Sequence, residues 1–144
     1  MNKFSQILDA SKLAELKQQV YDIIGCAIQV HQEMGPGLNE YMYQEAFSIA
    51  LQKANIAFIR EYSFKVTFMG EEIKHQHKMD FFINGQIDFE CKAVEKLCDE
   101  HRQQLWNYMR LTDTPIGVLY NFAPHKDQVE KYYYNKENKV MCAF

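Results

Sequence analysis

The sequence predicts a single α+β domain in which helices cover a mixed β-sheet. Two stretches with apolar residues at three- and four-residue spacing come first, and a series of short alternating stretches follows, interrupted once by a further helical stretch. The chain has 144 residues, the size of one domain. Apolar residues make up 47% of it and charged residues 24%, which suits a packed core and excludes a disordered or collagen-like chain. We therefore treat residues 1–144 as one domain.

Two helices are expected at the start of the chain. The apolar spacing from Lys12 to Met34 predicts a helix with one buried face. Gly35-Pro36-Gly37 ends this helix, because Gly accepts a left-handed cap and Pro cannot extend the hydrogen-bond ladder. Asn39 is suited to cap a second helix, which we place from Glu40 to about Lys53.

A three-stranded meander follows the helices. Alternation from Ala57 to Met69 predicts the first strand, and a Gly70-Glu71 turn leads into the second, from Ile73 to Ile83. Asn84-Gly85 is the strongest hairpin signal in the chain and precedes the third strand, from Gln86 to Val94.

The last part of the chain adds one helix and three strands. We expect a helix from about Asp99 to Leu111, an apolar strand from Ile116 to Phe122, and a C-terminal hairpin formed by Gln128 to Tyr134 and Lys139 to Phe144. The order is α, α, β, β, β, α, β, β, β, without an internal repeat or a domain linker, and it favours a mixed sheet in one domain.

Charge, hydropathy and cysteine content restrict the function classes. The net charge of -3 argues against bulk electrostatic coating of nucleic acid, so any such contact has to be local. Residues 1–20 lack the pattern of a signal peptide, and no apolar stretch is long enough to span a membrane. We expect a cytoplasmic protein without a membrane partner. The four cysteines form no CxxC pair, so reduced thiols are expected instead of a zinc or redox site.

The strand from Gln86 to Ala93 carries the first candidate chemistry. Its alternation places Asp88, Glu90 and Lys92 on one face. An antiparallel strand with one solvated face would show the same pattern. Alternatively, Glu90 supplies a carboxylate that binds a divalent cation, and Lys92 supplies an ammonium group that stabilises phosphate charge or orients water.

Two more acids are candidates for the same site. Asp80 interrupts an apolar run, where an acid is costly unless it is paired or bound to metal, although an exposed strand end would also explain it. Glu40 begins a helix, where the helix dipole favours the ionised form that a metal ligand needs. Acids are also common in first turns for stability alone.

Four motifs occur in a fixed order along the chain. Residues 37–43 read G-x-x-E-x-x-Y, and they are followed by Asp80, by Glu90-Cys91-Lys92 within ECKAVEKL, and by Gln104 in the next helix. This layout resembles the GxxExxY protein family of the PD-(D/E)XK nuclease-like superfamily. The resemblance extends from about Val20 to Phe122. Met79 departs from it, because the superfamily name expects Pro at that position.

The resemblance implies a restriction-endonuclease-like core of α-β-β-β-α-β order, with a mixed central sheet flanked by helices. This chain adds an N-terminal helix and a C-terminal hairpin. The implied activity is metal-dependent hydrolysis of phosphodiester bonds in nucleic acid, in DNA more than in RNA, with one or two Mg²⁺ or Mn²⁺ ions. The implied roles are metal binding for Asp80, Glu90 and Glu40, catalysis for Lys92, and an accessory polar function for Gln104. A homodimer is left open.

The alternative is a catalytically silent nuclease-fold module for binding or regulation. The net charge of -3 favours it, because nucleases usually carry a basic groove. Local positive charge near the C-terminus surrounds Tyr132, Tyr133 and Tyr134. That segment could stack on bases, but an ordinary strand with one solvated face would look the same.

The connection between Asp80 and Glu90 decides whether one cation can bind both. A two-residue Asn84-Gly85 loop would place the two carboxylates on opposite faces of the sheet. A three-residue loop such as Ile83-Asn84-Gly85, with Gly85 left-handed, would pair Asp80 with Asp88 and return Asp80 to the face of Glu90. We therefore expect a turn of odd length or a bulge.

Overall fold

The computed structural model describes residues 10–144, which contain three helices and eight strands. Residues 1–9, part of the segment without a signal-peptide pattern, lie outside this range. The helices are α1 (Ala10–Met34), α2 (Glu40–Lys53) and α3 (Asp99–Thr112). The strands are β1 (Phe58–Phe64), β2 (Thr67–Phe68), β3 (Glu71–Glu72), β4 (His77–Ile83), β5 (Ile87–Lys92), β6 (Ile116–Asn121), β7 (Gln128–Asn135) and β8 (Val140–Ala143).

Six of the strands form one mixed sheet in the order β1-β4-β5-β6-β7-β8. The central strands β5 and β6 pair in parallel, and the other described pairings are antiparallel. A parallel pair needs a crossover connection, which α3 provides. The predicted α/β class with a mixed sheet flanked by helices is confirmed, and β7 and β8 extend the sheet as the C-terminal hairpin. None of the described helices is long and apolar enough to cross a membrane.

The first two predicted strands are shorter than expected. The chain leaves the main sheet after Phe64 and returns to it at His77, and the residues between form the separate β2–β3 hairpin. The hairpin turns at Met69 and Gly70, whose φ values are 52° and 81°. Alternation continues through this segment, but nearly all of its residues are exposed, so no core face holds them in the main sheet.

The larger core lies between one face of the sheet and helices α1 and α2. From α2 it contains Tyr43, Phe47 and Leu51, which follow one another at four-residue spacing. Phe47 stacks on Phe89 of β5 with 4.3 Å between ring centroids. The buried face of α2 is narrow, and Ile49 of the same helix is 52% exposed although it is apolar.

Helix α3 covers the opposite face of the sheet. Leu105 and Met109 of α3 pack there with Leu119, Tyr132 and Tyr134. A solvated face on β5 is therefore the wrong interpretation, because the helix that follows the strand in sequence folds back over it. The three tyrosines of β7 are also buried, so they are not available for stacking on bases.

The turn between β4 and β5 has an odd length, as expected. Ile83 pairs with Ile87 and Phe82 with Asp88, so the loop consists of Asn84, Gly85 and Gln86. It begins one residue later than the loop we considered, because Ile83 is a fully buried member of the ladder. The pairing of Asp80 with Asp88 is consequently wrong, and continuing the register places Asp80 opposite Glu90.

A close contact between α3 and β6 depends on Gly117. A Cβ atom at this position would overlap the sulfur of Met109 and lie 2.9 Å from Cδ1 of Leu105, and both of these side chains are fully buried. We expect Gly117→Ala to lower the free energy of unfolding by about 1–3 kcal/mol through overpacking. Urea unfolding followed by circular dichroism measures the change.

Gly25→Ala in α1 is the matched control. A Cβ atom at Gly25 has no other atom within 4 Å, and alanine favours a helix over glycine by about 0.5–1 kcal/mol. We expect this variant to be more stable than the wild type. Equal stability of the Gly117→Ala variant and the wild type would contradict the proposed close packing.

Candidate active site

Asp80 and Glu90 bind the backbone of each other's strand. The N–H group of Asp80 donates to Oε2 of Glu90 at 2.8 Å, and the N–H group of Cys91 donates to Oδ2 of Asp80 at 2.9 Å. The described ladder between β4 and β5 ends at Phe81 and Phe89, just before these residues. The carboxylates therefore occupy the place where the next ladder hydrogen bonds would form, and they lie side by side on the α3 face of the sheet.

Burial sets the electrostatics of this pair. It is the largest of the causes that together raise the pKa of Asp80 to about 6; the charge of Glu40 also raises this pKa, whereas the hydrogen bond from Cys91 and the charge of Lys92 lower it. Burial also raises the pKa of Glu90 well above its usual value, and repulsion from Asp88 and Asp80 adds to the shift. The cluster is thus deficient in positive charge.

Asp88 is a site residue that the sequence analysis did not select. Its side chain is fully buried, and its carboxylate oxygens have no partner in the described range other than the Glu90 carboxyl group, whose hydrogen bond lowers the pKa of Asp88. Burial raises its pKa well above the usual value, and repulsion from Asp80 adds to this. The sequence does show Asp88 on the face of Glu90 and Lys92. The sequence did not show that α3 covers that face and buries Asp88.

The G-x-x-E-x-x-Y motif positions Glu40 at the start of α2. Gly35 and Gly37 have φ values of 77° and 83°, which favour glycine. The hydroxyl group of Tyr43 donates to the carbonyl oxygen of Gly35 at 2.6 Å and accepts from the N–H group of Leu38 at 3.1 Å. This clamp fixes the turn that precedes the helix. Glu40 is close enough to Asp80 for its charge to raise the pKa of that carboxyl group.

The Asn39 cap is confirmed. Its side-chain oxygen accepts from the N–H group of Met42 at 2.9 Å, which satisfies a free donor of the first helical turn. The Glu40 carboxylate accepts from Nε2 of Gln44 at 3.1 Å. The cap and the tyrosine clamp together determine where α2 begins.

Lys92 and Gln104 contact each other. The Nζ atom of Lys92 donates to Oε1 of Gln104 at 3.4 Å, and Nε2 of Gln104 donates to the Tyr108 hydroxyl group at 3.3 Å. Burial raises the pKa of Tyr108, with further contributions from the charges of Glu90 and Asp88. Tyr108 therefore lies near the acidic cluster, and α3 links it to Lys92. The structure places all five predicted site residues around one end of β4 and β5.

Helix α3 is anchored over the site by an ion pair. The guanidinium group of Arg102 donates from Nε and from its terminal nitrogen to the two carboxylate oxygens of Glu130, both at 2.8 Å. Such two-point pairs fix orientation as well as distance. Arg102 lies less than one turn before Gln104, so its anchor to β7 also restricts where Gln104 meets Lys92.

The donor set fits a hard divalent cation. Mg²⁺ and Mn²⁺ prefer oxygen ligands, and Mg²⁺ is commonly held by one or two carboxylates together with water and substrate phosphate. Asp80 and Glu90 supply such a pair. In the part of the chain that the structure describes, no group of three or more His, Cys, Asp or Glu side chains could hold a metal ion. A divalent ion would therefore be held by the Asp80–Glu90 pair, with water and substrate phosphate as its other ligands.

The chain belongs to the PD-(D/E)XK nuclease superfamily, because the family model of that description matches residues 17–132. No curated protein matches the chain. The chain is similar to the solved structure titled "Crystal structure of SSO0001", with a TM-score of 0.50 and 19% identity over 67% of this chain and 52% of that chain. It thus spans about half of that structure's length. The likeness is one of fold, and the restriction-endonuclease-like fold is confirmed.

The raised pKa of Asp80 predicts how stability changes with pH. The folded protein holds the proton of Asp80 up to about pH 6, whereas an unfolded chain releases it near pH 4. Folding is therefore opposed by the charge above pH 6, and this penalty disappears as the pH falls towards 4. We expect the Asp80 contribution to unfolding free energy to increase by about 1 kcal/mol between pH 7.5 and pH 5.

Urea unfolding in a chelator at both pH values, with Asp80→Asn as the comparison, tests this prediction. The amide keeps an oxygen that can accept from Cys91 but carries no charge, so the gain on acidification should be smaller in the variant. His101 acts in the opposite direction in both proteins, because burial lowers its pKa. An identical pH dependence in the two proteins would contradict the prediction.

Proposed function

We propose that the protein is a metal-dependent nuclease of the GxxExxY type that hydrolyses phosphodiester bonds, in DNA more readily than in RNA. The observation that carries this proposal is a pair of hydrogen bonds: the Asp80 N–H group donates to the Glu90 carboxylate, and the Cys91 N–H group donates to the Asp80 carboxylate. Lys92 lies on the same face of β5 as Glu90. This arrangement combines two carboxyl groups and an ammonium group at one end of β4 and β5. Superfamily membership supports the same reaction class.

Each site residue has a distinct proposed role. Asp80 and Glu90 hold one or two Mg²⁺ or Mn²⁺ ions, and Glu40 adds negative charge or a further ligand from the start of α2. A bound ion supplies charge neutralisation at the phosphate and a lower pKa for attacking water. Lys92 orients that water and stabilises the charge that develops on the phosphate. Gln104 fixes the position of the Lys92 ammonium group through their hydrogen bond.

The second candidate function is a catalytically silent module that binds nucleic acid or protein. The net charge of -3 favours it, because a nuclease generally attracts its substrate through a basic surface. The two candidates differ in cleavage and can share metal binding. A cytoplasmic location also belongs to the proposal, and size-exclusion chromatography tests whether the chain forms a homodimer.

Cleavage assays distinguish the two candidates. Wild-type protein, Glu90→Gln and Lys92→Gln are incubated with duplex DNA, single-stranded DNA and RNA, with Mg²⁺ or Mn²⁺ or with a chelator. We expect metal-dependent cleavage by the wild type and a loss of at least about a hundredfold in each variant, because each removes a charge that acts on the developing transition state.

Glu33→Gln provides a matched control on the exposed surface of α1. Glu33 accepts a hydrogen bond from Gln29 at 3.4 Å and belongs to the helix on the opposite face of the sheet. This variant should cleave at the wild-type rate. Metal binding that Glu90→Gln abolishes, in a wild type that cleaves none of the substrates, would support the silent module instead. Cleavage that persists in Glu90→Gln would contradict the assignment of the site.

A further inference from the structure

Aromatic rings from β1, β4 and α3 meet beside the candidate active site. Phe64 and His77 are paired across β1 and β4, and their rings lie nearly parallel, with 5.5 Å between the centroids and 18° between the planes. The ring of Tyr108 in α3 meets both of them in edge-to-face contacts, with 5.1 Å and 5.9 Å between centroids. These contacts join α3 to the β1–β4 side of the sheet.

His75 extends this group of rings outward. It precedes β4, and its ring meets that of His77 edge-to-face with 4.8 Å between the centroids. His75 is exposed, whereas Phe64, His77 and Tyr108 are half-buried. The three half-buried rings thus hold α3 to the sheet, and His75 leaves part of its ring open to solvent. We call these four rings the aromatic cluster.

Two cavities adjoin the aromatic cluster, and His75 and His77 line both of them. The first has a volume of 520 Å³ and is also lined by Gln104 and Tyr108 of α3. The second has a volume of 410 Å³ and is also lined by Phe64. Ligand sites in proteins commonly measure about 300–1,000 Å³. Each cavity therefore has room for a ligand group.

The first cavity continues to the candidate active site. Gln104, which lines it, accepts a hydrogen bond from Nζ of Lys92 at 3.4 Å and donates one to the Tyr108 hydroxyl group at 3.3 Å. Two hydrogen bonds thus connect the aromatic cluster to Lys92. A strand with a phosphate at Lys92 would reach the cluster along α3.

The charged side chains that line the two cavities are nearly balanced. Histidine aside, Lys65, Lys74 and Arg110 supply three positive charges and Glu72 and Glu100 two negative ones, so the excess is one. Lys65 pairs with Glu72 at 3.8 Å. Neither Lys74 nor Arg110 forms an ion pair within residues 10–144. So small an excess suits contact with one or two phosphates, and the rings would have to supply much of the affinity.

We propose that the aromatic cluster and its two cavities form a subsite for single-stranded nucleic acid that leads a strand to Lys92. An unpaired base stacks on the exposed ring of His75, and Arg110, which lines the first cavity, contacts a phosphate of the same strand. DNA and RNA share this chemistry, because every base has a face that can stack on an aromatic side chain. The bases of a duplex are stacked on one another and are not available in this way. The inference rests on the proposed function, which supplies the site at Lys92.

Fluorescence anisotropy of labelled strands with the full chain in a chelator tests the proposal, because binding is then measured without metal-dependent cleavage. The strands are about 12 nucleotides long, within the usual site sizes of single-strand binders. We expect single-stranded DNA and RNA to bind. A duplex of the same sequence and a strand of the same length without bases should each bind at least about tenfold more weakly, because neither offers an unpaired base.

Substitutions separate the contribution of the ring from that of the charge. His75→Ala should weaken single-strand binding at least about tenfold, and His75→Phe should keep the affinity within about threefold, because it restores a ring on which a base can stack. Arg110→Gln should weaken binding and reduce the slope of log affinity against log salt by about 0.7, the value for one phosphate of a single strand. His75 and Arg110 are both exposed, so the variants should keep the circular dichroism spectrum of the wild type.

Tyr21→Ala and Lys53→Gln are the matched controls. Tyr21 is an exposed ring on α1, with an exposed fraction of 74%, and Lys53 is an exposed cation at the end of α2. Both helices cover the other face of the sheet. These variants should bind single strands with the wild-type affinity.

The outcomes separate this inference from the function it rests on. Wild-type affinity in His75→Ala, or equal binding of the strands with and without bases, overturns the subsite, and metal-dependent cleavage by the same protein would still uphold the nuclease. Absence of single-strand binding by the wild type, or tighter binding of the duplex, also overturns the subsite. Affinity that is lost in His75→Ala and restored in His75→Phe supports the subsite, even in a protein that cleaves none of the substrates.

Discussion

Asp80 and Glu90 each accept a hydrogen bond from the backbone of the neighbouring strand, and the rest of the site depends on this exchange. The described β4–β5 ladder ends at Phe81 and Phe89. Beyond it, the two acidic side chains accept the backbone hydrogen bonds that join the strands. Ordinary ladder bonds would leave the carboxylates free to adopt several rotamers. Here a backbone N–H group holds each of them, so the folding of the sheet keeps the two carboxyl groups side by side although burial and repulsion raise their pKa values.

Helix α3 converts this strand end into an enclosed site. It connects the parallel strands β5 and β6, so it has to cross the sheet, and Gly117 allows it to approach closely. The pair formed by Arg102 and Glu130 then fixes the helix on β7. The same covering layer that excludes water from Asp88 and Glu90 also brings Gln104 to Lys92. Low polarity and precise positioning therefore have one structural origin, and low polarity strengthens the electrostatic interactions among the site residues.

The first and last residues of the G-x-x-E-x-x-Y motif, Gly37 and Tyr43, have structural roles. The glycine permits the positive φ of the turn, and the hydroxyl group of Tyr43 closes that turn through two backbone hydrogen bonds. The tyrosine ring stacks on Phe122 with 5.0 Å between centroids. The Tyr43 side chain thus fills the core and fixes the loop. Because the loop is fixed, Glu40 in the middle of the motif lies near the acidic cluster.

The sequence by itself determined the three helices and the six strands of the main sheet in their order, but not the β2–β3 hairpin. The family resemblance implied five polar residues, which the fold places around one end of β4 and β5. Hydrophobic period and turn residues are local properties, so they predict α1, α2 and α3 to within a few residues. The odd length of the β4–β5 turn followed instead from the condition that Asp80 and Glu90 share a face of the sheet. The exact register, with Asp80 opposite Glu90, depended on which residue of the hairpin was buried. The burial of Asp88 depended on α3, whose contact with β5 is made by residues distant in sequence. Alternation along a strand shows which side chains share a face, but only the tertiary structure decides what covers that face.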